Sequence, residues 1–207
     1  MARTIIAVRS ADGNVSSRIR CLSDGPLDAV LSRVVGIRSG TFDADCVRFT
    51  DWADKHAAKL GIAEIAKSDT VRFAAEIQTR TYSVCGNLTN GPIPEDAYKV
   101  MLAYRLPDNR NPDDFWHYHT EIHGPEVVAA AGKLLVGYAL SRRISTLAGD
   151  AGFFALIELW WTNESAAAAY VKQSASYVTQ SGKAPLDDWA SHNLILDFSV
   201  ELIEMAT

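Results

Sequence analysis

Cysteine is scarce: three residues in a chain of 207, at positions 21, 46 and 85. That number is odd, the spacing is wide and no C-x-x-C pair occurs, which argues against a disulfide framework and a zinc knuckle alike. Reduced thiols in a cytoplasmic protein are the expectation. Long apolar runs are missing too. Stretches such as 71–75 and 134–137 fall far short of the roughly 20 residues a membrane span needs, and the run after Met1-Ala2-Arg3-Thr4 is too brief for a signal-peptide core. Positive charge is in deficit, with a formal net charge of −5. No basic stripe offers phosphate contacts, so nucleic acid is not an expected partner. Also absent are a G-x-G-x-x-G after a strand, a P-loop and a G-x-S-x-G elbow, which removes most of the case for nicotinamide, ATP-dependent or serine-hydrolase chemistry.

What is present is repetition. Asp24-Gly25-Pro26 answers His123-Gly124-Pro125, and Val35-Gly36 answers Val136-Gly137. The strand-like run ending in Trp52 answers the one ending in Trp161, and residues 73–82 answer 194–205. The offset grows along the chain, as loop insertions in one copy of a duplicated unit would make it grow. The first copy reads as residues 1–87 and the second as 97–207, joined by the Pro- and Gly-punctuated segment 88–96.

In the first copy, strands are expected at 4–9, 34–38, 46–50 and 70–84. Helices are expected at 27–34, where Pro26 opens the first turn, and at 54–67, where apolar and alanine residues recur at helical spacing. In the second copy, strands are expected at 98–106, 134–144, 153–161 and 193–205. Asn111-Pro112-Asp113-Asp114 is a helix start: Asn caps, Pro occupies the first turn and acids face the positive dipole end. That helix should break or kink near Gly124-Pro125. Asn163 caps an alanine-rich helix running to about 179. Each copy thus reads strand–helix–strand–strand–helix–strand, the ferredoxin-like βαββαβ order of an α+β fold.

The second half resembles a known family. The residues that carry the likeness are Tyr98-Lys-Val-Met-Leu-Ala-Tyr104, then Asp114-Phe-Trp-His-Tyr-His-Thr-Glu-Ile-His-Gly-Pro125, the Val136-Gly137 strand and Glu158-Leu159-Trp160. Together they resemble the EthD-like branch of the dimeric α/β-barrel superfamily, which pairs two ferredoxin-like units into a barrel, usually from two chains. The resemblance implies two units in tandem forming an intramolecular dimeric α/β-barrel, and such a pseudo-dimer could pair again as a homodimer. Members are associated with cofactor-free monooxygenases, cyclases, isomerases and dehydratases, and in some branches with haem. In the first half Asp24 stands where His123 stands, and the aromatic helix is lacking, so a site is expected in the second half.

Three of the five histidines (His117, His119, His123) fall within seven residues. His119 and His123 are four apart and share a helical face; His117 points away, toward the surface. An imidazole beside aromatic walls suits proton transfer, because its ordinary pKa of about 6.5 lies near working pH. The expected site therefore has His123 as general acid or base and His119 assisting. Tyr104 donates to a substrate oxygen, Phe115 and Trp116 form walls, and Trp160 and Glu158 border the substrate. It lies between sheet and helices of the second copy. A loop-fixing role for His123 and a core role for Tyr104 and Trp160 remain open. Metal binding is poorly supported, since no H-E-x-x-H accompanies the pair. The expected function is cofactor-independent proton-transfer chemistry on a small apolar or aromatic metabolite. The alternative is a non-catalytic accessory protein that binds a small molecule or haem.

Overall fold

The computed structural model describes residues 1–9, 28–40, 42–67, 71–82, 93–94, 96–106, 108, 110–150, 152–174 and 195–205. Cys21, Cys85, Asp24-Gly25-Pro26 and most of the 88–96 linker lie outside them. The described residues form eight strands: β1 (Ala2–Val8), β2 (Asp28–Gly40), β3 (Cys46–Trp52), β4 (Val71–Thr81), β5 (Tyr98–Arg105), β6 (Leu135–Gly149), β7 (Ala155–Trp161) and β8 (Ile195–Met205). The α-helices are α1 (Lys55–Ile65), α2 (Pro112–Tyr118), α3 (Gly124–Ala131) and α4 (Glu164–Ser174). Two compact units divide the chain: unit 1 is Met1–Thr79, Arg142–Gly152 and Val200–Thr207, and unit 2 is Arg80–Ser141 and Phe153–Ser199.

Unit 1 is a sheet in the order β4-β1-β3-β2. β1 pairs antiparallel with β3 from Ala2↔Trp52 to Val8↔Cys46, and with β4 from Arg3↔Ile77. Alternation sends even-numbered β1 residues to one face, where Ala2, Ile6 and Val8 meet Trp52, Ala74 and the α1 residues Ala58, Ile62 and Ile65. α1 starts at Asp54, whose carboxylate accepts the Ala57 N–H at 2.8 Å, an orphan donor that a cap satisfies. Gly61 lets the helix close on the sheet, since a Cβ there would lie 2.2 Å from the Trp52 ring. Trp52 Nε1 donates to Thr4 Oγ1 at 2.9 Å, which keeps the buried indole satisfied.

The helix expected over 27–34 is instead strand. β2 pairs with β3 from Asp28↔Asp51 to Arg33↔Cys46. Val30, Val34, Val35 and Ile37 are stiff β-branched residues, and an open β3 edge decided in their favour against the proline-led helix signal.

Unit 2 has its strands in the order β8-β5-β7-β6. β5 and β7 are antiparallel from Tyr98↔Trp161 to Tyr104↔Ala155. One face of this sheet carries Val100, Tyr104, Ala155, Ile157 and Trp161 against Val127, Ala130 and Ala131 of α3 and Ala166, Ala167 and Tyr170 of α4. Asn111 caps α2 by accepting the Asp113 N–H at 2.9 Å, with Pro112 in the first turn. Asn163 caps α4 in the same manner through the Ala166 N–H at 2.9 Å.

Near Gly124-Pro125, where a break or kink is expected, the helix changes type without ending. A π-helical turn, His119–His123, joins α2 to α3, and the Gly124 N–H reaches back to His119 O. Pro125 has no N–H to give, and the wider turn absorbs the missing donor. Tyr82 helps from outside: its Oη donates to the carbonyls of His119 and Thr120, each at 3.4 Å.

Candidate functional site

The π-turn fixes the site. It carries two imidazoles, of which His119 is 0% and His123 4% exposed. Their ring centroids lie 5.0 Å apart at 72°, edge to face. Phe115 packs on His119 at 4.0 Å and on Phe154 at 5.4 Å. Tyr118 stands edge-on to His119 at 5.2 Å and stacks on His123 at 6.2 Å. A wider turn changes the angular spacing of the side chains it carries, and such turns recur at functional sites. His117 is exposed, as its helical phase required.

The local sequence holds this geometry in three ways. Thr120 Oγ1 donates back to Trp116 O at 2.9 Å, tying the turn to α2. Arg80 grips the Glu121 carboxylate, and its guanidinium also covers the Tyr82 ring at 5.8 Å. Gly124 leaves room for that ring: a Cβ there would meet Tyr82 Cε1 and Cζ at 2.6 Å. Gly124→Ala should therefore cost about 1–3 kcal/mol, the usual penalty of overpacking. Denaturant melts of Gly124→Ala on wild-type and Tyr82→Leu backgrounds check this, because the smaller side chain should remove most of the penalty.

Tyr104 lies on the helix-facing side of β5 but in other company. It belongs to a buried group with Tyr82, Tyr138 and Tyr170 under α3 and α4. Tyr82 and Tyr138 are 4.9 Å apart, and Tyr170 lies 5.0 Å from Trp161. Burial raises the phenol pKa of Tyr82 and of Tyr104 above the ordinary value, and pushes Tyr170 up to about 12. Tyr138 is raised well above the ordinary value, by burial first and then by the three other phenols. Phe115 is buried beside His119, and Trp116 is half-buried against the helix-side core.

Glu158 and Trp160 are not part of this group. Their parity on β7 opposes that of Ile157 and Trp161, so they sit on the sheet face turned away from the helices. The pocket expected between sheet and helices therefore cannot hold all seven residues assigned to it. Adjacent tryptophans give alternation no sign of which one faces the helices; packing selected Trp161. Glu158 has instead a partner that sequence reasoning missed. Lys99 Nζ lies 3.0 Å from Glu158 Oε2, with both side chains 2% exposed, and 4.4 Å above the Trp160 ring. Lys99 as the lone cation inside an apolar strand was the available signal.

Breaking such a pair strands a buried charge, whereas replacing both members does not. Glu158→Leu should cost about 3–5 kcal/mol, and Lys99→Met/Glu158→Leu should regain most of it. Chemical denaturation of the two variants decides, and equal losses would contradict it. Among the described residues no three His, Cys, Asp or Glu side chains gather as metal ligands would. No described helix is long and apolar enough to cross a membrane.

The chain is a mixed α+β protein built from antiparallel strands. A solved structure called an anthrone oxidase-like protein matches 98% of this chain and 90% of its own, at 12% identity and TM-score 0.56. That likeness shows a shared mixed α+β fold. A second structure, aldoxime dehydratase (OxdRE) in complex with butyraldoxime, aligns with 99% of this chain and 79% of its own, at 10% identity and TM-score 0.31. No family model and no curated protein matches the chain.

Proposed function

We propose that this chain is a cytoplasmic, cofactor-independent enzyme. It moves a proton on a small apolar or aromatic, carbonyl-bearing metabolite, with the His119–His123 pair as its acid–base centre. The observation that carries the reading is the π-turn, which sets two buried imidazoles 5.0 Å apart behind aromatic walls. One imidazole can accept a proton while the other donates, the arrangement isomerisation, cyclisation or dehydration needs. Phe115 and Tyr118 supply the apolar surface against which a flat substrate would lie. Cys46, a buried free thiol, accords with a reducing compartment.

The same proposal covers the architecture: two ferredoxin-like repeats, residues 1–87 and 97–207, fused as an intramolecular counterpart of a dimeric α/β-barrel of the EthD-like branch. Equivalent strand orders in the two units support it, β4-β1-β3-β2 and β8-β5-β7-β6. The matched registers Ala2↔Trp52 and Tyr98↔Trp161 support it as well.

Proton abstraction leaves a trace even when the full reaction is unknown. The test is deuterium incorporation from D2O into small ketones and aromatic carbonyl compounds, followed by NMR. An anthrone belongs in that screen because the similar structure is named for one. Catalysed exchange lost in His123→Ala and His119→Ala supports the reading. A purified protein that retains haem and exchanges nothing would replace it with a haem-binding role.

A further inference from the structure

Register makes positions in the two units comparable one by one. Ala2 opposes Trp52 and Tyr98 opposes Trp161, so Arg3 corresponds to Lys99, Asp51 to Trp160 and Phe49 to Glu158. In both sheets these side chains share the face turned away from the helices, and each set comprises a cation, an acid and an aromatic ring. Acid and aromatic have changed places between the units. In unit 2 the cation and acid close on each other, Lys99 on Glu158. In unit 1 they stay apart. The Arg3 guanidinium carbon lies over the Phe49 ring at 5.5 Å, while Arg3 Nε and Asp51 Oδ1, both buried atoms, make no hydrogen bond to the protein.

Directly opposed residues on antiparallel strands have Cβ atoms only about 5 Å apart. An open cation–acid pair at that spacing is costly unless something else satisfies it. Arg3 and Asp51 line a cavity of about 500 Å³, together with Lys55, Glu76, Ile77 and Ile144, a size usual for small-molecule sites. Lys55 and Glu76 neutralise each other at 3.0 Å, and Ser145 Oγ donates to the second Glu76 oxygen at 3.3 Å. Arg3 and Asp51 are only partly buried and have no ion-pair partner among the described residues. The accessible atoms of the guanidinium and the carboxylate, beyond the buried Nε and Oδ1, are therefore the charges the cavity offers a ligand.

We propose that this cavity binds a zwitterion of the α-amino-acid class. Its carboxylate accepts from Arg3, its ammonium donates to Asp51, and its side chain lies against Ile77 and Ile144. A simple anion would meet the Asp51 carboxylate and a simple cation the Arg3 guanidinium, so neither fits as well. The site is independent of the His119–His123 reading and can fail without it.

The test is titration calorimetry of the full chain with the standard amino acids, each binder compared with its deaminated and decarboxylated analogues. Binding by at least one amino acid is expected, with both single-charge analogues about tenfold or more weaker. Arg3→Gln and Asp51→Asn should each weaken binding by about ten- to a hundredfold. Ile144 is 44% exposed, so Ile144→Trp should fill the cavity and abolish binding with the melting temperature unchanged, even if the charge variants fail to fold. No binding by folded wild type overturns the proposal, as do a deaminated analogue that binds equally well and undiminished binding by Ile144→Trp.

Discussion

Raising the pH beyond about 10 should unfold unit 2 cooperatively, because its helix-facing core holds four phenols that titrate normally only once released. Tyr82, Tyr104, Tyr138 and Tyr170 are all at most 9% exposed. Each has its folded-state pKa raised, with burial as the first cause. The unfolded chain ionises tyrosine near pH 10, so above that pH the folded state binds more protons and stability falls. The contribution is fully present below about pH 10 and is lost as pH climbs toward the folded values. Each phenol costs up to about 1.4 kcal/mol per pH unit in that window, hence together roughly 5 kcal/mol per unit. Set against a total stability of about 5–15 kcal/mol, this predicts collapse within one to three units above pH 10.

Phenolate absorbance and circular dichroism followed through one alkaline titration test this. Both should change together, at a pH clearly above 10. Tyr138 gives a sharper check, because its buried hydroxyl makes no hydrogen bond. Tyr138→Phe should therefore cost little at neutral pH and move the alkaline transition upward. Phenolates appearing near pH 10 while the fold persists would show that the tyrosines are wet.

That cluster also marks where sequence reading stops. Alternation along residues 98–104 told which β5 residues share a face, and the Trp52/Trp161 correspondence reappears as matched strand register. The helix starts at Asn111 and Asn163 were legible because caps act locally, whereas the helix after Asp54 was legible from spacing and the structure adds its cap. The 27–34 segment misled because Pro26 is a local signal, whereas pairing with β3 comes from residues some twenty positions away. Gly124-Pro125 signalled a lost donor, which a break, a kink or a π-turn can each accommodate. Tyr82, more than thirty-five residues upstream, donates to the carbonyls of the π-turn that forms there. Lys99 with Glu158, and Arg3 with Asp51, become visible once register places them across neighbouring strands.

The imidazole pair is the part of the site that was legible in sequence, and replacing it should have the largest kinetic effect. His123→Ala and His119→Ala should each lower proton exchange by about 10²–10⁴, the usual worth of a positioned acid or base. If the two act as one unit, the double variant should fall little further. Both side chains are nearly fully buried, so a loss of rate alone could reflect damaged packing. His123→Gln and His119→Gln separate the possibilities, since glutamine keeps volume and hydrogen-bonding capacity but exchanges no proton near neutral pH. A folding role is rescued by glutamine; an acid–base role is not. Full exchange in both glutamine variants, with melting temperatures matching wild type, would assign the π-turn to the architecture of unit 2 and leave its chemistry to be sought elsewhere.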